Sequence, residues 1–144
     1  MRLTQFTDYA LRLLMVLASE PDRRVTIQQI SEFHGISRNH LMKVASRLAR
    51  AGILSPSRGR NGGLVLARPP EEVRVGDVIR ASEPDFALVG CMAGEYCVNT
   101  PDCRLTGVLN TALADFLASA NRYSLADIVS PSSPSRLALA PKPA

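Results

Sequence analysis

Three cysteines carry the most specific chemical signal in this 144-residue sequence. Cys91, Cys97 and Cys103 follow a C-x5-C-x5-C spacing. Clustered thiols in an odd number do not suit a disulfide framework, which needs paired cysteines and a secreted chain. Structural zinc sites usually begin with two ligands two to four residues apart, so this spacing is a poor zinc motif. Three soft thiolates suit a larger soft centre, and the spacing therefore predicts a metal site that favours an iron–sulfur cluster.

A cluster held by three thiolates still needs one more ligand. A carboxylate, a histidine, a small molecule or a residue of another subunit could supply it. No histidine follows His40 in the sequence, which excludes a histidine close to the cysteines along the chain. By spacing alone, the cysteines could also be ordinary small side chains on a loop.

Two alternatives to a cluster come from other functional classes. One is a DNA-binding regulator with structural zinc or a thiol redox switch. The other is a thiol enzyme, which would need a general base beside its nucleophilic cysteine. The two histidines, His34 and His40, fall in the region that we assign below to DNA binding. The chain is therefore predicted not to be an enzyme.

Two short helices separated by a glycine turn are predicted in the N-terminal half. Thr26 and Gln29 form a capping-box pattern at the start of the first helix, and Gly35 suits its end. Ser37 is the expected N-cap of the second helix. This helix has a basic polar side and a stripe expected to be buried, formed by Leu41, Val44, Ala45 and Leu48. This is the helix-turn-helix pattern, whose second helix enters the major groove of DNA. The residues expected to contact DNA from this helix are Ser37, Arg38, Asn39, His40, Lys43, Arg47 and Arg50.

The position of each side chain along this helix suggests a division of roles. Arg38, Asn39 and Lys43 lie early in the helix, where arginine can pair with guanine and asparagine with adenine. Arg47 and Arg50 lie further along and suit phosphates. A single basic helix is more often a solvated surface, so the assignment needs support from a second element.

A β-hairpin predicted over residues 53–66 supplies that support. Two short apolar runs flank a tip rich in arginine and glycine, and Asn61 with Gly62 forms a favoured turn dipeptide. Arg58 and Arg60 lie beside glycines at this tip, where a flexible wing can enter a minor groove or contact the DNA backbone. Together with Asn61 they are the wing residues expected to contact DNA. A helix-turn-helix followed by a basic wing predicts binding to double-stranded DNA.

The charge distribution agrees with this assignment. Residues 1–68 carry a net charge of +7, whereas residues 69–144 carry −3. The basic part is the candidate polyanion-binding surface. No apolar run is long enough to span a bilayer, and the N-terminus lacks the pattern of a secretory signal. We therefore expect a cytoplasmic protein with no membrane partner.

The clearest helical stripe of the sequence follows the cysteines. Apolar residues recur at spacings of three and four up to Ala120, and Thr100 and Pro101 suit the N-cap and first position of this helix. Cys103 would then lie in the first turn, where the helix dipole favours a thiolate. Residues 130–144 contain four prolines and little charge, which predicts a disordered tail.

Several of these segments together resemble a known family. They are residues 1–12 (MRLTQFTDYALR), 36–41, 58–64 and 124–127, together with the three cysteines. In combination they are similar to the winged-helix iron–sulfur regulators, a family that includes IscR, and within it to the nitric-oxide-sensing NsrR branch. The resemblance extends from residue 1 to about residue 129.

The resemblance implies a homodimeric repressor that binds an inverted-repeat operator and responds to nitric oxide. It implies a [4Fe–4S] cluster on the three cysteines, with the partner subunit's Asp8 as the fourth ligand and Arg12 beside that carboxylate. Members with a histidine-ligated [2Fe–2S] cluster carry a histidine where this chain has Thr106, so [2Fe–2S] is the less favoured alternative.

The expected fold is mainly α with a small β-hairpin, a winged helix-turn-helix followed by a long C-terminal dimerisation helix. The expected parts are a DNA-binding domain (1–68), a short helix with the cysteine loop (69–103), the dimerisation helix (104–129) and the tail (130–144).

Overall fold

The computed structural model describes residues 2–57, 62–100 and 103–129. The described chain is mostly helical with a two-stranded antiparallel sheet, which confirms the predicted fold class. The helices are α1 (Gln5–Ser19), α2 (Ile27–His34), α3 (Arg38–Arg50), α4 (Val75–Ser82), α5 (Leu105–Ala120) and α6 (Leu125–Ile128), and the strands are β1 (Leu54–Ser57) and β2 (Gly63–Leu66).

Side-chain caps begin the first three helices, and two of them are the caps predicted for the helix-turn-helix. Thr4 caps α1, since its hydroxyl accepts a hydrogen bond from the Thr7 backbone N–H at 3.3 Å. Thr26 and Gln29 form the capping box of α2, and Gly35 ends that helix in the left-handed conformation with φ of 65°. Ser37 caps α3. These local signals fix the boundaries of the helix-turn-helix because each one satisfies backbone groups that a helix end leaves unpaired.

The core lies between α1, α2 and α3. Leu13 and Leu17 of α1, Ile30 of α2, and Leu41 and Leu48 of α3 are all essentially inaccessible to solvent. On α3 the buried residues are those predicted from the sequence, namely Leu41, Val44, Ala45 and Leu48. Because this stripe faces inward, the polar side of α3 faces away from the core.

The hairpin pairs β1 with β2 in antiparallel register, from Leu54 opposite Leu66 to Ser57 opposite Gly63. A single bridge adds Val25, whose N–H and carbonyl both pair with Leu64. The hairpin is thereby attached to the segment between α1 and α2. The predicted turn at Asn61 lies outside the described residues.

The C-terminal part pairs with the segment around the start of α4 through two backbone hydrogen bonds. The Val75 N–H donates to the Tyr123 carbonyl at 3.0 Å, and the Leu125 N–H donates to the Val73 carbonyl at 2.9 Å. The Leu125 side chain is fully buried in the main core. The helix α6 therefore anchors the far end of α5 against the domain formed by the first half of the chain.

One helix start differs from the sequence expectation. The helix α5 begins at Leu105 with Arg104 as its N-cap residue, so Cys103 precedes the helix and does not lie in its first turn. Thr100 does not cap α5; its hydroxyl donates to the Cys97 carbonyl at 2.7 Å instead. Pro101 lies outside the described residues. An N-cap oxygen accepts from a backbone N–H two or three residues further on. Because α5 begins only at Leu105, Thr100 lies too early in the chain to cap it.

No helix in the described part of the chain is both long and apolar enough to cross a membrane.

Candidate nucleic-acid interface and metal centre

The open side of α3 presents most of the residues predicted to contact DNA. Arg38, Asn39, Lys43 and Arg50 are all exposed, as is the capping residue Ser37. Asn39, Lys43 and Arg50 also line one shallow groove of about 400 Å³. Their amide, ammonium and guanidinium groups are the donors and acceptors that base edges and phosphates require.

Two predicted contact residues lie on the flank of α3 that faces α1. The His40 ring is 6.1 Å from the Tyr9 ring, centroid to centroid. The Arg47 guanidinium lies over the Phe6 ring, with its carbon 5.7 Å from the ring centroid. Both side chains remain exposed, so this flank combines solvent-accessible polar groups with aromatic side chains of α1.

Arg47 also contacts α4. Its Nη1 donates to the Ser82 carbonyl at 3.4 Å, close to the end of α4. The sequence expectation for Arg47 was a DNA phosphate. Arg47 thus has partners on α1 and α4 while its side chain stays exposed, and the phosphate contact remains a prediction.

The wing is described only at its base. Arg58, Arg60 and Asn61, all predicted to contact DNA, lie outside the described residues. At the base, the guanidinium of Arg24 donates to the Ser57 hydroxyl. Arg24 is exposed and adds positive charge beside the wing. The sequence analysis did not select Arg24 as a DNA-contacting residue. The two consecutive arginines, Arg23 and Arg24, were a signal that could have indicated it.

The three cysteines are free thiols, each partly exposed. Cys91 lies in the short 3-10 turn Gly90–Ala93, which ends at Gly94 with a positive φ of 90°. Cys97 lies in the following turn, and its carbonyl accepts from the Thr100 N–H at 3.1 Å. Short-range turns of this kind leave the thiols accessible at the surface.

These thiols match the donor set of an iron–sulfur cluster, which is held by cysteine thiolates. In the described part of the chain, no three His, Cys, Asp or Glu side chains form a group that could hold a metal ion. The residues that would hold a cluster are Cys91, Cys97 and Cys103. The three thiol donors fit an iron–sulfur cluster chemically. To bind one, the segment from Cys91 to Cys103 would have to bring the three sulfur atoms closer together.

The predicted fourth ligand lies far back in the sequence, in the first turn of α1. Asp8 is paired with Arg12 one turn further on, with 3.0 Å between Arg12 Nε and Asp8 Oδ2. About half of each side chain is exposed. An exposed ion pair of this kind contributes little to stability, so the Asp8 carboxylate is accessible to another group at low cost.

His34 lies beside this ion pair. Burial and the nearby Arg12 charge lower the pKa of the His34 imidazole, while Asp8 opposes that shift. Its Nε2 is buried and has no hydrogen-bond partner among the described residues. Burial and the Arg12 charge therefore both disfavour the protonated form of this imidazole.

The start of α1 is fastened to the end of α4. Glu83 follows α4 and begins the segment that leads to the cysteines. Its Oε1 accepts hydrogen bonds from the Thr4 N–H at 2.8 Å and from the Thr4 hydroxyl at 3.1 Å. The helix that carries Asp8 and the segment that carries Cys91 thus share a common attachment.

Comparison with known proteins decides the family. Residues 3–131 match the profile of Rrf2, described as an iron-dependent transcriptional regulator. The chain belongs to the Rrf2 family. Regulators of the Rrf2 family bind DNA and are typically dimeric, which agrees with the winged helix and its exposed basic helix.

Solved structures of Rrf2-type regulators share the fold. CymR, the global cysteine regulator of B. subtilis, is 22% identical with a TM-score of 0.72, over 92% of this chain and 99% of that one. IscR of T. potens is 24% identical with a TM-score of 0.70, over 89% and 85% of the two chains. The oxidized form of Staphylococcus aureus CymR is 24% identical with a TM-score of 0.66, over 90% and 97%. At these identities the likeness establishes the fold of this Rrf2 chain.

Proposed function

We propose that this Rrf2-family chain is a homodimeric repressor that binds an inverted-repeat DNA operator and releases it when nitric oxide reacts with an iron–sulfur cluster. One observation carries the proposal. The chain combines an exposed basic helix, α3, with three free and partly exposed thiols. The last of these, Cys103, lies two residues before the exposed helix α5.

On the DNA side, Arg38, Asn39 and Lys43 contact base edges in the major groove. Arg50 contacts a phosphate, and Arg58 and Arg60 act from the wing. The exposure of α3 supports the base contacts and the phosphate contact of Arg50. Basic side chains near one face supply the phosphate attraction on which protein–DNA affinity largely rests.

The partner subunit contacts α5. Among the sixteen residues of this helix, all described, only Leu117 is buried. Leu105 and Val108 are 51% and 64% exposed, although both belong to the apolar stripe. A helix with an uncovered apolar face is a typical interaction surface. Two copies of α5 packed together would bury these side chains.

Cys91, Cys97, Cys103 and the partner subunit's Asp8 would hold the cluster. When bound, the cluster would supply iron that reacts with nitric oxide, and a carboxylate ligand exchanges more readily than a thiolate. Asp8 lies near the start of α1, and α1 contacts α3 through Phe6 with Arg47 and through Tyr9 with His40. When Asp8 is released, α1 loses a tether to the other subunit.

This tether matters because the two recognition helices must reach half-sites separated by about 34 Å or a multiple of it. Asp8 of one subunit and the cysteines of the other, as ligands of one shared cluster, would fix that separation. Its loss relaxes the separation, and the affinity for the inverted repeat falls.

The test is an anaerobic purification followed by absorption spectra, iron and sulfide analysis, and operator binding before and after nitric oxide. We expect brown protein whose spectrum and DNA affinity both change with nitric oxide. Cys97→Ser should remove the cluster absorption, whereas Ser46→Ala on the exposed side of α3 should leave it intact. Colourless protein without iron or sulfide would contradict the cluster.

The role of Asp8 has its own measurement. The Asp8→Ala holo-dimer should bind the operator more weakly before exposure to nitric oxide and respond less to it. If its affinity and its response both equal those of the wild type, the tether is wrong even where the cluster is present.

A second candidate is a DNA-binding regulator with a thiol redox switch or a structural zinc ion. The observation that favours it is that all three thiols are free and partly exposed, hence accessible to oxidants. DNA affinity that changes with a disulfide oxidant in iron-free protein would support a thiol switch. Stoichiometric zinc in colourless protein would support the structural metal.

A further inference from the structure

Met42 is an apolar side chain in the middle of the polar face of α3. It is 51% exposed, and in the described chain before Tyr96 no other large hydrophobic side chain is exposed to this degree. It shares the groove of about 400 Å³ with Asn39, Lys43, Ser46 and Arg50. A scattered exposed methionine needs no explanation, but this one lies among the side chains that are proposed to enter the major groove.

Base edges offer one apolar feature in the major groove, the 5-methyl group of thymine. A thioether is flexible and polarizable, and it packs well against a methyl group. Asn39 lies one helical turn before Met42 and can pair with adenine. Since adenine is always opposite thymine, an A·T-containing half-site would offer both side chains a partner.

We propose that Met42 is a specificity-determining residue that packs against a thymine 5-methyl group in each operator half-site. This inference rests on the proposed DNA binding by α3 and deepens it. It does not depend on what the cysteines hold. The predicted recognition is apolar, so it adds sequence preference without adding a phosphate contact.

The experiment replaces thymine with deoxyuridine, which removes only the methyl group. The wild-type protein, used as purified, first selects a duplex from a random DNA library. Each thymine of one half-site, together with its symmetry mate, is then replaced in turn, and the affinity is measured at fixed salt for the wild type and for Met42→Ala.

For the wild type we expect one position where the substitution weakens binding by roughly fourfold per half-site, the value of one buried methyl-sized group. For Met42→Ala we expect less than about a twofold change at that position, while Met42→Leu keeps most of the wild-type response. Because Met42 is exposed, these variants should keep the wild-type unfolding temperature, which is checked first.

The inference is overturned if no thymine position weakens wild-type binding, or if Met42→Ala stays as sensitive as the wild type. If Asn39→Ala, a matched change on the same groove, removes the response while Met42→Ala does not, the methyl contact belongs to another side chain and the inference is also wrong. Failure of the wild type to select any duplex would instead refute the proposed DNA binding, and the inference with it.

Discussion

Thr4 and Glu83 lie 79 positions apart in the sequence, yet the Thr4 N–H donates to Glu83 Oε1 at 2.8 Å. The Thr4 hydroxyl donates to the same oxygen at 3.1 Å and also accepts from the Thr7 N–H at 3.3 Å. One carboxylate thereby completes the cap of α1 and fastens it to the end of α4. This interaction couples the helix of Asp8 to the segment that carries Cys91.

The first prediction concerns this interaction. Glu83→Ala should lower the free energy of unfolding by about 1–2 kcal/mol, because the Thr4 N–H loses a charged acceptor in a half-buried place. Glu83→Gln keeps an amide oxygen and should lose less than half of that. Urea unfolding of the metal-free protein measures both. Equal losses in the two variants would show that the acceptor oxygen is not what matters.

The second prediction separates Arg47 from Arg50. Arg47 is engaged with Phe6 and with the Ser82 carbonyl, whereas Arg50 Nη2 contacts only Ser46 one turn back in the described hydrogen bonds. Arg50→Met should reduce the slope of log affinity against log salt by about 0.9 for each phosphate that is no longer neutralised. Arg47→Met should weaken operator binding with an unchanged slope, because it removes support for α3.

Salt titrations of operator binding provide the measurement, with the wild type and Arg80→Met as references. Arg80 is an exposed arginine of α4 that pairs with Asp77 at 3.3 Å. A reduced slope for Arg47→Met would assign Arg47 to a phosphate, as its position in the sequence suggests, and would remove its role as a support.

The third prediction uses two glycines in different surroundings. A Cβ on Gly76 of α4 would lie 2.3 Å from Asn121 Oδ1 and 2.8 Å from the Leu117 carbonyl oxygen, whereas a Cβ on Gly107 of α5 would meet nothing within 4 Å. Gly76→Ala should destabilise the protein by about 1–3 kcal/mol through overpacking. Gly107→Ala should stabilise it by about 0.5–1 kcal/mol, since glycine is unfavourable inside helices.

Thermal or urea unfolding at one protein concentration compares the two glycine variants. The opposite signs are the informative result, because both changes add the same methyl group to a helix. A Gly76→Ala protein as stable as the wild type would mean that α4 and α5 are further apart than the geometry places them.

The fourth prediction concerns pH. Burial, together with Arg12, lowers the pKa of His34 below its ordinary value of 6.5. Above pH 6.5 both the folded and the unfolded states hold a neutral imidazole, so the stability is complete there. As the pH falls below 6.5 the unfolded state takes up its proton first, and stability declines down to the lowered pKa of the folded state.

NMR titration of the two imidazoles, assigned with His34→Gln, measures the pKa directly. Unfolding of the metal-free protein between pH 5 and about 7.5 should show a decline in wild-type stability that is smaller in His34→Gln. A His34 titration at or above 6.5 would contradict the prediction.

Local sequence signals determined most of the helix-turn-helix. The capping interactions join residues that are only a few positions apart, so they follow from the sequence alone. The residues concerned are Thr26, Gln29, Gly35 and Ser37. The buried stripe of α3 is equally local, because helical periodicity fixes which residues share a face. The prediction that failed, the start of α5, rested on Thr100 and Pro101 as a start signal, whereas the helix begins at Leu105.

Only the tertiary structure decided which side chains lie beside that polar face. Periodicity placed His40 and Arg47 opposite the core, but it could not show that Phe6 and Tyr9 of α1 lie against them. The same holds for Glu83 at the cap of α1, since interactions across 79 residues depend on how whole elements pack. The cysteine spacing determined the chemistry of the donors, and the packing of the chain determined that they remain free and partly exposed.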